Sequence, residues 1–313
     1  MAKPSYGGQA VIEGVMMRGQ RHFAVAVREP LGSIVVHEEA LKGAIYTSPW
    51  LKLPFLRGPI VLWDTLSLGM RTLMFSANVQ FAAEGEGEKV ELSQGAMWGT
   101  VAVALAFAVG LFFVAPAFLM SAVVDPYLNS ALLSNLIEKI IRLALIVGYI
   151  AIIGMMPDIK RVFAYHGAEH KAIQAWESGL PLDVETAQRF STAHPRCGTS
   201  FLLVVVVVSF IAFSLLGQPP MLERMLSRIV LIPVVAAIAY EFIKYASAHM
   251  GSALMRALLA PGMWLQKLTT REPDDSMVEV ALVALQHALV ADGLVEGPLP
   301  AVGAAEPAEA GIR

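Results

Sequence analysis

Two histidines four residues apart, with a glutamate beside the second, stand at His166-Gly-Ala-Glu169-His170. This is the inverted form of a zinc-hydrolase signature. On a helix, positions i and i+4 share a face, so both imidazoles reach one metal while Glu169 serves as general base toward the water that the metal activates. The plain alternative is a polar helix face beside a membrane.

A second group follows at His194-Pro-Arg-Cys197-Gly-Thr-Ser200. Zinc, or another divalent transition metal, accepts imidazole nitrogen, thiolate sulfur and carboxylate oxygen, and a catalytic site uses three protein ligands with one position left for water. His166 and His170 supply two. His194 and Cys197 have the chemistry for the third, and Glu177, seven residues past His170, and Glu241 follow the carboxylate logic of zinc peptidases. Should His194 and Cys197 both bind, the shell closes and the site is structural. Cys197, beside Arg196 and three residues from His194, also has the setting of a nucleophile or of a small packing residue. Glu13, inside an apolar run, either pairs with Arg18 or another cation or faces the metal.

The elements that position these residues follow from local punctuation. After Pro157 a helix is expected to about Glu177, ended by Gly179 and Pro181, and a short one capped by Asp183 runs to about Ser191. One motif lies just after an apolar segment and the other just before the next. They can converge.

Composition sets the class. With 56% hydrophobic and 16% charged residues and a positive mean hydropathy, the chain reads as a mainly α, polytopic membrane protein. About four transmembrane helices are expected within 92–248: Leu92–Val124, an uncharged run of 33 residues long enough to tilt, to kink near Pro116 or to extend into the interface; Asn135–Met156, with Glu138, Lys139 and Arg142 in its first turns; Cys197–Leu222; and Ile229 to about Ala248. Nine Lys/Arg in the first 94 residues, five in 157–196 and four after Ala248 put the N-terminus, the C-terminus and the metal loop 157–196 in the cytoplasm. No removable signal peptide is expected. One cysteine excludes an intrachain disulfide, and a net charge of −3 excludes the basic stripe that nucleic acid requires.

Residues 1–58 read as a small cytoplasmic region. Gly7 to Gly19 is the pattern of a buried strand, and Phe23–Arg28 and Ser33–Glu38 alternate around Glu29-Pro-Leu-Gly32 as a β-hairpin. In 59–91, a helix over Pro59–Ala83 carries a polar stripe of Asp64, Ser67, Arg71 and Asn78, suited to the membrane interface or to packing with its stripe inward, and an acidic link runs from Glu84 to Glu91. Residues 249–291 read as cytoplasmic amphipathic helices, with Ser276 and Glu279 as a capping box for Met277–Val290, and 292–313 as a disordered tail.

Four separated stretches, Gly7–Gly19, Tyr165–Lys171, His194–Ser200 and Pro261–Asp275, together resemble the YqhQ-like family of bacterial membrane proteins of unknown function. The resemblance extends from about Gly7 to Leu289. It implies a bacterial inner-membrane protein and a metal-dependent enzyme. The leading expectation is a zinc-dependent hydrolase of a peptide or lipid-linked substrate that reaches the bilayer surface. The alternative is a non-catalytic membrane scaffold or accessory factor with a structural metal.

Overall fold

The structure is a computed structural model that describes residues 6–42, 46, 53–84, 94–217, 220–296 and 303–304. Most of the expected acidic link and tail lie outside the described residues. The molecule is mainly helical with an N-terminal antiparallel sheet.

Gly7 to Gly19 is two strands rather than one. β1 (Gly7–Val11) and β2 (Gly14–Arg18) pair as a hairpin with Val11 opposite Gly14, and Glu13 turns the chain with φ 52°. The expected second hairpin is present: β3 (His22–Arg28) pairs β4 (Ile34–Ala40), with Arg28 opposite Ile34. Two residues of the tail, β5 (Gly303–Ala304), run parallel to β4.

Alternation sends the two faces of this meander to different partners. Val11, Met16, Phe23, Val25 and Val27 face α1 (Arg57–Glu84) through Leu68, Phe75 and Val79. Asp64 of its polar stripe pairs with Arg18 at 2.6 Å, and Arg71 lies 3.8 Å from Glu39, so part of the stripe turns toward the sheet.

Four apolar segments follow. Gln94–Val109 (α2) continues through π-helical turns at Gly110–Val114 and Met120–Val124 on either side of α3 (Ala115–Leu119). Pro116 has no N–H to donate, and the widened turns absorb that defect without breaking the rod. Next come α4 (Ala131–Ile153), α5 (Pro157–Ser178), the single-turn α6 (Val184–Gln188), α7 (Gly198–Ser214) and α8 (Met221–Ala248). Only Gly99–Tyr127 and Leu222–Ala248 are long and apolar enough to cross a membrane among the described residues, and α4 with α5 makes a third if that bent pair counts as one span. The pair bends by 104°. Pro157 forces Met156 into an extended conformation (ψ 137°), which ends one helix and starts the next in a new direction. α7 has 17 residues and falls just short of the length of a full span.

The chain finishes with α9 (Ala253–Thr269) and α10 (Asp275–Ala291). The capping box at Ser276 is not formed. Asp274 caps α10 by accepting from Met277 N at 3.0 Å, while Glu279 pairs with Arg28 at 2.6 Å. α10 and α5 cover the second face of the sheet: Val15, Met17, Ala24 and Ala26 share one core with Tyr165, Ala168, Ala172 and Ile173 of α5 and with Val278, Leu282, Leu285 and Leu289 of α10. Asp292 ties the end of α10 back to the sheet by accepting from Tyr6 OH (2.7 Å), Gln20 N (2.7 Å) and Arg21 N (3.1 Å).

Candidate metal centre

His166 and His170 both lie on α5, one turn apart, with ring centroids 4.5 Å apart. Cys197 is the N-cap of α7, its Sγ accepting from Thr199 N at 3.4 Å. One ligand atom from each of the three falls within 4.8 Å of the others. His166 Nε2 and Cys197 Sγ are 3.4 Å apart. A tetrahedral zinc with bonds of about 2.0–2.1 Å to nitrogen and 2.3 Å to sulfur separates such a pair by roughly 3.6 Å, so this spacing fits a shared metal.

The orientation of both rings is set by backbone carbonyls. His166 Nδ1 donates to Thr269 O at 2.8 Å, and His170 Nδ1 donates to Thr192 O at 2.6 Å. A carbonyl only accepts, so each Nδ1 carries the hydrogen and the neutral ring keeps its Nε2 lone pair free as a ligand. Backbone oxygens leave no trace in a sequence. Gly167 marks the contact: a Cβ there would collide with Arg271 O, so its absence lets the segment after α9 lie against α5.

His194 is held apart from this set. Its Nδ1 accepts from Arg196 N (3.3 Å) and its Nε2 donates to Glu177 Oε2 (3.3 Å), which leaves neither nitrogen free for a metal. Its ring centroid lies 5.6 Å from that of His170. Burial pushes the His194 pKa down, partly offset by the Glu177 hydrogen bond. Glu177 is pushed up by burial but is brought below the usual carboxylate range by His194 and Arg196, with both of which it pairs. Gln266, on the buried face of α9, fixes the backbone of His194 from both sides, accepting from its N (2.9 Å) and donating to its O (2.8 Å). In the sequence, the one signal for this role is a long amide on an otherwise apolar helix face.

Two other acidic residues are engaged elsewhere. Glu241 accepts from Arg57 Nε at 2.7 Å. Glu13 pairs with Arg161 and accepts from Tyr165 OH at 3.3 Å, so its cation is Arg161 and not Arg18. Lys171 is buried and donates to the carbonyls of Gln188 and Phe190, which secures the loop that brings Thr192 to His170.

Glu169 is 5% exposed and its Oε2 stands 3.9 Å from His166 Nε2. Burial raises its pKa, opposed by His166 and by a hydrogen bond from the Gly8 backbone. Gly8 itself sits where strand and helix nearly touch: a Cβ would lie 2.8 Å from Glu169 Cγ and 2.5 Å from Met16 O. Three donors of the right chemistry, with a carboxylate next to them and outside the ligand set, fit zinc in a three-ligand arrangement.

The fold and the site thus define a mainly helical protein with an N-terminal antiparallel sheet, two or three helices among the described residues apolar enough to cross a bilayer, and a His/His/Cys cluster joining a sheet-bound helix to an apolar one. The chain belongs to the family described as "Protein of unknown function (DUF1385)", whose model matches residues 53–291. It is 36% identical over 303 residues to "Uncharacterized protein YqhQ" of Bacillus subtilis (strain 168), covering 94% of this chain and 95% of that one. The resemblance carried by the four sequence motifs is borne out at the level of the family. No solved structure matches.

Proposed function

We propose that this protein is a multi-pass protein of the bacterial inner membrane and a zinc-dependent hydrolase acting at the cytoplasmic membrane surface on a peptide or a lipid-linked substrate. The single observation that carries the metal reading is the pair of Nδ1–H···O=C bonds at His166 and His170, which leave both Nε2 lone pairs available within a cluster whose ligand atoms, with Cys197 Sγ, lie within 4.8 Å of one another. His166, His170 and Cys197 would hold the ion. When bound, zinc supplies Lewis acidity, polarising a substrate oxygen and acidifying a water.

The chain's own residues do the rest. Glu169, excluded from bulk water and free of the ligand set, takes a proton from the attacking water and returns it to the leaving group. The Gly8 N–H holds its carboxylate in place. Access comes past His166, the more open of the two imidazoles, whose side chain is 18% exposed.

Membrane placement is supported by wide exposed apolar faces: Val103 (71%) on α2, Phe118 (64%) on α3, Ile211 (57%) on α7 and Val230 (71%) on α8. We read α2–α3, α4, α7 and α8 as four spans. At 1.5 Å per residue, α7 reaches roughly 26 Å, close to a hydrocarbon core of about 30 Å. α1, with Trp63 and Leu66 exposed, then lies in the cytoplasmic interface.

One observation favours a second reading, a non-catalytic scaffold whose metal pins α5 to α7. His170, Cys197 and Glu169 are all buried, so the cluster is largely closed. Metal analysis of detergent-purified protein, with the single variants below, separates hydrolase, scaffold and metal-free readings.

A further inference from the structure

The far end of the bundle holds a concentration of charge that the metal site does not use. Lys139 and Arg142 of α4 and Arg224 and Arg228 of α8 are all at least nine-tenths buried. Two carboxylates face them. Arg224 pairs with Asp125 at 2.9 Å. The other three share Glu138, itself 1% exposed: Arg142 donates to Oε1 at 2.7 Å, Lys139 lies 3.8 Å from the same oxygen, and Arg228 takes Oε2. Four cations against two carboxylates leave an excess of two positive charges in a low-dielectric setting, where an uncompensated charge is costly. With one of the four neutral, an excess still remains.

Donors are left over as well. Lys139 Nζ, Arg142 Nε and Arg228 Nη1 are buried and make no hydrogen bond. Phe213 of α7 takes part of the charge on its ring, with Lys139 Nζ 4.5 Å and Arg228 Cζ 5.5 Å from the centroid. Beside that ring is a cavity of about 10 Å³, lined by Asn135, Phe213, Arg224, Ser227 and Arg228. Such a volume admits one water-sized or monatomic guest. Because Cys197 starts α7 and Phe213 lies at its other end, this site opens on the side of the bundle opposite the metal cluster.

We propose that these residues bind a small monatomic anion, of the size of chloride, at the non-cytoplasmic end of the bundle. The excess charge selects an anion, the unbonded Nη1 of Arg228 in the cavity lining gives it a partner, Lys139 and Arg142 add to the field from outside the lining, and the volume excludes phosphate or a lipid headgroup. Anion binding here does not depend on the metal site.

The test is thermal unfolding of the full-length protein in detergent at fixed ionic strength, with chloride or bromide titrated against gluconate. Chloride and bromide should raise the melting temperature saturably, and phosphate should not. Arg228→Gln should weaken the halide response about tenfold or more, by removing a cation in direct reach of the cavity. Glu138→Gln should strengthen it, because the competing negative charge is gone. Should Arg228→Gln fail to fold, the wild-type titration and Glu138→Gln still decide. Equal melting of wild type in chloride and gluconate, a phosphate response as large as that of chloride, or an unchanged halide response in Glu138→Gln would overturn the proposal.

Discussion

Gly8 and Glu169 meet so closely that a single added carbon on the glycine would stand 2.8 Å from Glu169 Cγ. The contact joins the first strand of the sheet to the helix that carries both His166 and His170, so the N-terminal region contributes directly to the seat of the buried carboxylate. Gly8→Ala is expected to destabilise the protein by about 1–3 kcal/mol, since Met16 O, a backbone atom at 2.5 Å, cannot swing aside. Thermal melting in detergent checks this, and an unchanged midpoint would show that the strand relaxes freely.

Metal content discriminates among the imidazoles. Wild-type protein purified without chelators should carry about one zinc per chain. His166→Ala, His170→Ala and Cys197→Ala should each lose it, whereas His194→Ala should keep it, because both His194 nitrogens are already engaged by Glu177 and Arg196. Stoichiometric elemental analysis reads the outcome. Absence of transition metal from wild type sinks the metal reading, and loss from His194→Ala would put that residue back among the ligands.

Glu169→Gln separates enzyme from scaffold. The amide preserves size and removes the proton acceptor, so a hydrolase should retain zinc and abundance but lose function by about 100-fold or more. Complementation of a deletion phenotype at matched protein level is the measurement. Full complementation by Glu169→Gln alongside failure of His166→Ala would mean that the metal only holds the fold together.

Asp292 should govern acid stability of the sheet-to-helix junction. Burial alone would raise its pKa, but Tyr6, the Gln20 and Arg21 amides and His22 donate to the carboxylate and bring it below the usual value of 3.8. A carboxyl depressed in the folded state stabilises above its unfolded pKa and loses that contribution as pH falls through and below it. Asp292→Asn should therefore cost about 1.5–3 kcal/mol near neutral pH, with the difference from wild type shrinking below about pH 4. Melting curves across pH would contradict this if the gap stayed constant.

Topology can be read without purification. On the proposed four-span topology, a reporter fused after Ile312 and a cysteine probe placed in 183–191 should both report the cytoplasm, the side that the distribution of Lys and Arg favours. Labelling of that segment from outside intact cells would exclude the four-span arrangement.

How much of this is present in the chain itself depends on the range of the interaction. The spacing of His166 and His170 on one helix, the apolar runs, the β3–β4 hairpin and the helix stop at Gly179 are local, and local periodicity and backbone preference determine them. The Gly7–Gly19 stretch reads as one strand but forms two, because an apolar run hides a two-residue turn when a non-glycine residue, Glu13, takes the left-handed position. What only the tertiary structure decided is who meets whom. Cys197, 31 residues from His166, comes within 3.4 Å of it while His194, three residues nearer, is turned away into Glu177, a choice made by carbonyls and by Gln266 from a distant helix. Likewise the N-terminal sheet, the helix of His166 and His170 and the C-terminal helix read along the chain as three separate regions, yet they share one core. Each has an apolar face that is incomplete alone, and burying those faces together is a long-range event that no window of sequence encodes.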